Sequence, residues 1–149
     1  MSQLTADCLY EIFEYLENEN ETLRSCLLVN RSWCEIAVRI LWSDVHDYCS
    51  LNIRTLISCL PNESKEILHK NGIPILTPTS KPPMFNYASF CKVLSISRVN
   101  YKIKKLLKNQ QSIPYEHINS RVNIVEHELH KLFMNQISSL KKLTYHKTL

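Results

Sequence analysis

Two histidines are the side chains best spaced for metal chemistry. His127 and His130 lie three residues apart in the segment EHELH. The zinc helix H-E-x-x-H would need its second histidine at position 131, where the chain has Lys131. An i, i+3 pair alone does not make a metal centre, so we predict neither a bound metal nor a cofactor.

Nucleophilic and phosphate-binding chemistry is poorly supported. The only glycine is Gly72, which excludes the glycine-rich loops of the common nucleotide sites, and no G-x-S-x-G motif occurs. The six cysteines form no C-x-x-C pair, and we interpret them as reduced, small apolar side chains. They are Cys8, Cys26, Cys34, Cys49, Cys59 and Cys91. We therefore predict that the protein is not an enzyme.

Charge divides the chain into unlike parts. Residues 1–50 carry three basic and nine acidic side chains, whereas residues 51–149 carry fifteen basic and five acidic ones. The segment KIKKLLK favours one alternative function, a basic helical module that binds nucleic acid. Lysines opposite an apolar helix stripe more often form a solvated face, so we favour a protein partner. The lysines predicted to point outward are Lys102, Lys104, Lys105 and Lys108.

Helical periodicity organises the first forty-five residues. Apolar side chains recur at helical spacing over residues 7–17, with Thr5 as N-cap, and Asn18 is predicted to cap a short second helix. Asn30 is predicted to cap a third helix that ends near residues 42–44. The short links predict an orthogonal three-helix bundle. Because 22 of residues 4–43 are apolar, more than so small a unit can bury, we expect a partner to cover part of it.

The same segment resembles a known motif. It reads L-x-x-D-x-L-x-x-I-F-x-Y-L, then L-x-x-C-x-x-V-x-R-x-W, then Leu41–Trp42, and it is similar to the F-box over residues 4–43. Thr5 departs from the proline usual in that family. The resemblance implies docking to the Skp-type linker of cullin-based SCF ubiquitin ligases. It implies that linker contacts are made by Leu4, Thr5, Cys8, Leu9, Ile12, Leu28 and Val29, over a core of Phe13, Leu16, Leu27 and Trp33.

Two helices are predicted after this segment. The first covers residues 50–60 and ends at Pro61, which cannot continue a helix. Asn62 is predicted to cap the second, and Gly72 to end it. The proline-rich stretch at residues 73–84 is the best internal boundary. The apolar side chains that indicate the first helix are Leu51, Leu56, Ile57 and Leu60.

The last part of the sequence mixes helix and strand signals. We predict a short helix leading into a strand at residues 93–97, then helices over residues 98–110 and 123–136, with a loop around Pro114. The first long helix should bury Val99, Ile103, Leu106 and Leu107. The ending L-x-x-L-x-Y resembles the strand of a leucine-rich repeat, a unit with which many F-box proteins bind targets. One weak unit is visible, and repeat arrays need about three.

The predicted fold class is mainly α. A three-helix F-box bundle (residues 1–45) is followed by a helical linker region (46–84) and a short, incomplete leucine-rich-repeat-like α/β part (85–149). The predicted function is a substrate receptor that holds the Skp-type linker, and through it a cullin, and presents an unidentified target protein.

Two alternatives concern the same residues. The chain could be a truncated F-box protein that docks without a target, or the apolar positions could simply be the core of a larger helical domain. No apolar run is long enough for a membrane span, and the N-terminus is acidic where a signal peptide is basic. We therefore expect an intracellular protein of the cytoplasm, the nucleus or both.

Overall fold

Helices dominate the described parts of the chain, as predicted. A computed structural model describes residues 4–74, 83–110 and 114–145, so most of the proline-rich connection lies outside the described residues. The helices are α1 (Ala6–Glu14), α2 (Asn20–Cys26), α3 (Arg31–Leu41), α4 (Ser50–Ser58), α5 (Asn62–Lys70), α6 (Ile96–Lys108) and α7 (Ile118–Gln136). The strands are β1 (Val93–Ser95) and β2 (Lys142–Thr144), and short 3-10 turns occupy Val45–Asp47, Tyr87–Phe90 and Tyr115–His117.

Side-chain caps fix the starts of α1 and α3. Thr5 Oγ1 accepts a hydrogen bond from the Cys8 N–H at 3.4 Å, and Asn30 Oδ1 accepts one from the Trp33 N–H at 2.9 Å. Both predicted caps are confirmed. They satisfy amide groups that a helix N-terminus otherwise leaves without an acceptor.

Two other predicted caps were wrong. Tight turns follow α1, with the Glu19 N–H donating to the Leu16 carbonyl at 2.8 Å, so Asn18 lies inside these turns and α2 begins only at Asn20. Asn62 is the first helical residue of α5, because the extended backbone of Pro61 already occupies the N-cap position. Gly72, with φ of 68°, does end this helix region as predicted.

The buried face of the α4 region includes Ile53 and leaves out Leu51, one of the four apolar residues that indicated this helix. Leu51 is 66% exposed, whereas Ile53, Leu56, Ile57 and Leu60 are buried. The buried set has the i, i+3, i+4, i+7 spacing of a single helix face, and Leu51 lies outside it.

Two long helices and a small parallel sheet form the last part. The four apolar residues predicted inward on α6 are buried, while α7 begins earlier than predicted because Ile118 and Val122 are buried on its first turns. Strand β1 pairs in parallel with β2, in the register Val93↔Lys142. Two helices separate these strands, and the arrangement does not confirm a leucine-rich repeat.

Two clusters of buried side chains support the fold. The bundle cluster comprises Leu9, Phe13, Leu23, Cys26, Ile36 and Ala37. The larger cluster begins at Val38 in α3 and Trp42 directly after it, and continues through α4 to α7. Leu27 and Leu41 pack against both clusters. The division of the chain at residues 45 and 84 stays a prediction.

Candidate docking face

The outer side of α1 leaves apolar side chains in solvent. Ile12 is 48% exposed, and Leu4, just before the helix, is exposed as well. Thr5 and Cys8 are also exposed. Because Thr5, Cys8 and Ile12 are three and then four residues apart, they lie on one face of the helix.

Leu9 was predicted for the same surface but lies beneath it. It is 5% exposed and belongs to the bundle cluster with Phe13. Its side chain is not available at the surface of the free chain, and a linker contact by Leu9 stays a prediction. The residue supports α1 from the inside.

The turn between α2 and α3 projects the most exposed leucine of the set. Leu28 is 88% exposed, and the neighbouring Val29 is exposed too. Hydrogen bonds hold this turn: the Leu28 N–H donates to the Ser25 carbonyl at 3.1 Å, and the Val29 N–H to the Cys26 carbonyl at 3.3 Å. The Asn30 cap follows at once, so the two side chains extend from an ordered turn. We call Leu4, Thr5, Cys8, Ile12, Leu28 and Val29 the docking face.

The four residues predicted as core are less exposed than those of the docking face. Phe13 is buried, and its ring meets that of Trp33 edge to face, with centroids 5.2 Å apart. Leu16, Leu27 and Trp33 are partly buried and pack against the bundle cluster. The alternative that every apolar position serves an internal core does not hold for Ile12, Leu28 or Val29, which are exposed.

A cleft next to Leu28 was missed by sequence reasoning. It has a volume of about 400 Å³ and includes Met84 and Phe85 among its lining residues. Met84 is 77% exposed. Nothing in the local pattern around Met84 indicates proximity to Leu28, because the two are far apart in the sequence.

Side chains that could support catalysis are scattered or have pKa values shifted toward the uncharged form. The described ranges contain no group of three or more His, Cys, Asp or Glu placed to hold a metal. Burial lowers the pKa of His130, whose Nε2 lies 4.0 Å from Glu126 Oε1. Burial also raises the pKa of the Cys91 thiol to about 12, so this sulfur stays protonated and is a poor nucleophile at neutral pH.

One lysine of the predicted basic face points inward, which corrects the prediction. Lys102 Nζ donates to the backbone carbonyls of Val45, at 2.9 Å, and His46, at 3.0 Å, and also to that of Tyr48. These carbonyls surround the 3-10 turn after α3 and attract the cation. The surface charge available to nucleic acid on α6 is correspondingly smaller.

Comparison with protein families gives one match. The F-box-like family model matches residues 6–47, which confirms the resemblance for this segment and covers less than half of the chain. Such domains are adaptor modules and are typical of SCF components. Comparison with curated proteins gave no significant match, and comparison with solved structures gave none either. No helix in the described ranges is long and apolar enough to span a membrane.

Proposed function

We propose that this chain is a non-catalytic receptor subunit that docks a Skp-type linker of a cullin ubiquitin ligase through the docking face. The observation that carries the proposal is the exposure of apolar side chains within the F-box-like segment. Leu28 and Ile12 stand in solvent where a helical bundle with no partner would gain stability by burying them. A partner that covers them recovers this free energy at about 25 cal/mol per Å² of apolar surface.

The proposed mechanism is proximity. The linker would hold the chain in a complex with the cullin, at an interface on the order of 1,200–2,000 Å² in total, while the rest of the chain presents a target protein. Such a partner belongs in the cytoplasm or the nucleus. Thr5 keeps the helix-capping role but lacks the apolar ring of the proline usual in the family, so it contributes less contact area.

Linker binding tests the proposal directly. We expect the double variant Ile12→Asp/Leu28→Asp to bind a purified Skp-type linker at least about tenfold more weakly than the unmodified chain, because two charges would be buried against apolar surface. Isothermal titration calorimetry measures the affinity, and circular dichroism checks that the variant folds.

Leu51→Asp is the matched control. Leu51 is exposed on α4, outside the docking face, so this variant should bind the linker as the unmodified chain does. The proposal would be wrong if the folded double variant and the control bound the linker equally well.

A further inference from the structure

A cleft brings a distant part of the chain against the docking face. Its walls include Leu27, Leu28 and Cys34 on one side, from the α2–α3 turn and α3, and Met84 and Phe85 on the other. Leu28 and Met84 are both mainly solvent-exposed. Apolar atoms from two separate stretches of sequence therefore border one open space of about 400 Å³.

The second wall is held in place by aromatic packing. The Phe85 ring lies 5.8 Å from that of Tyr87 and 6.3 Å from that of Phe90, measured between centroids. The Tyr87 ring lies 4.5 Å from that of Trp42, at the end of α3. Phe85 is thus fixed to the larger cluster through Trp42, and Met84 follows directly from this anchored residue.

The cleft is lined by both apolar and polar side chains, as binding surfaces are. Polar groups border it: Asn30 caps α3, and Arg31 Nε lies 3.1 Å from Glu35 Oε1 in an exposed ion pair. An apolar centre with a polar border is typical of protein interfaces. Methionine suits such a surface because its unbranched, polarisable side chain adapts to a partner's shape.

We propose that the partner that binds the docking face also fills this cleft, so that Met84 is a contact residue for the linker outside the F-box-like segment. Leu28 is common to both surfaces. A linker seated on Leu28 closes one wall of the cleft and lies beside the other, while any second partner would have to compete for the same leucine. This inference rests on the proposed function and extends the interface from residues 4–29 to residue 84.

Replacing Met84 tests the extension. With the full chain and a purified Skp-type linker, we expect Met84→Asp to weaken binding about tenfold, because the aspartate would be desolvated in an apolar contact, and Met84→Leu to keep near-normal affinity. Met134→Asp is the matched control, since Met134 is 59% exposed on α7 and does not line the cleft. It should leave the affinity unchanged.

The outcomes separate the two proposals. If Ile12→Asp/Leu28→Asp weakens binding at least about tenfold while Met84→Asp binds like Met134→Asp, the extension is wrong and the proposed function stands. If the unmodified chain does not bind the linker, the proposed function fails and the extension fails with it. A shift of the unmodified chain to dimer by light scattering, lost in Met84→Asp, would overturn the extension in favour of a second copy in the cleft.

Discussion

Lys102 shows how one side chain can join two parts of the molecule. Its ammonium group caps the carbonyls of Val45, His46 and Tyr48, and burial lowers its pKa. We expect Lys102→Met, which keeps the aliphatic stem, to lower the free energy of unfolding by about 1–3 kcal/mol, because partly buried carbonyls lose their donor. Urea denaturation followed by circular dichroism measures the change.

An exposed lysine on the same helix provides the control for this prediction. Lys105 is exposed, so Lys105→Met should change the free energy of unfolding by less than about 0.5 kcal/mol. Equal stabilities for the two methionine variants would show that the lysine–carbonyl contacts make no net contribution.

At the scale of elements, α7 carries a half-buried histidine close to a contact with α6. His130 on α7 has its Nε2 without a hydrogen-bond partner among the described residues, and burial, offset by Glu126, lowers its pKa. The side-chain amide of Asn100, on α6, donates a hydrogen bond to the Glu126 carboxylate. Protonation of His130 therefore adds a positive charge beside Glu126, the residue that Asn100 contacts across the two helices.

The direction of the pH effect follows from the lowered pKa. Above about pH 6.5, the ordinary histidine pKa, His130 is neutral in both states and its contribution to stability is intact. As the pH falls from there through the lowered pKa, the unfolded chain binds the proton first, so stability decreases by at most about 1.4 kcal/mol per pH unit.

We expect His130→Gln to reduce this loss of stability in acid. Urea denaturation at pH values from 7.5 to about 5 measures it, in the range where histidines titrate. Asn123→Gln, at an exposed position of the same helix, removes no titratable group and should keep the pH dependence of the unmodified chain. An unchanged slope in His130→Gln would assign the acid sensitivity to other groups.

Elements and caps were predictable where the signal is local. The Asn30 and Thr5 caps and the inward face of α6 depend on residues within one or two helical turns, and they were predicted correctly. The start of α2 was not, because the ENENE segment offers several polar caps and the turns after Leu16 decide among them. The inward Lys102 and the approach of Met84 to Leu28 depend on contacts between distant residues, which a single sequence does not reveal.

At the scale of the whole molecule, α3 connects the bundle to everything after it. Ile36 and Ala37 belong to the bundle cluster, while Val38 and Trp42 belong to the larger one. The Ser43 carbonyl accepts hydrogen bonds from the N–H groups of Lys92, at 2.7 Å, and Val93, at 2.9 Å. Lys92 Nζ also donates to the Tyr10 hydroxyl at 3.2 Å. A linker bound to the bundle would thus hold the second half of the chain in a defined orientation.

The two tryptophans can test whether this connection makes the described parts one cooperative unit. Trp33 packs on the bundle cluster and Trp42 lies in the larger one. In each single-tryptophan variant, Trp42→Phe or Trp33→Phe, we expect the fluorescence and far-ultraviolet circular dichroism transitions in urea to coincide, as in two-state unfolding. The shared helix α3 is the reason, since neither cluster can lose its packing without exposing the other.

In the Trp42→Phe variant, a Trp33 fluorescence transition at lower urea concentration than the circular dichroism transition would contradict this expectation. It would mean that the bundle unfolds separately and would support a domain boundary near residue 45. Trp42→Phe also replaces the indole that packs against Tyr48 and Tyr87 with a smaller ring. The Trp33→Phe variant keeps these contacts and is therefore needed for comparison. In Trp33→Phe the remaining Trp42 reports on the larger cluster, and in Trp42→Phe the remaining Trp33 reports on the bundle. If the Trp42 fluorescence transition coincides with the circular dichroism transition and the Trp33 fluorescence transition comes earlier, the bundle is the less stable unit. A bound linker would then stabilise the bundle by mass action.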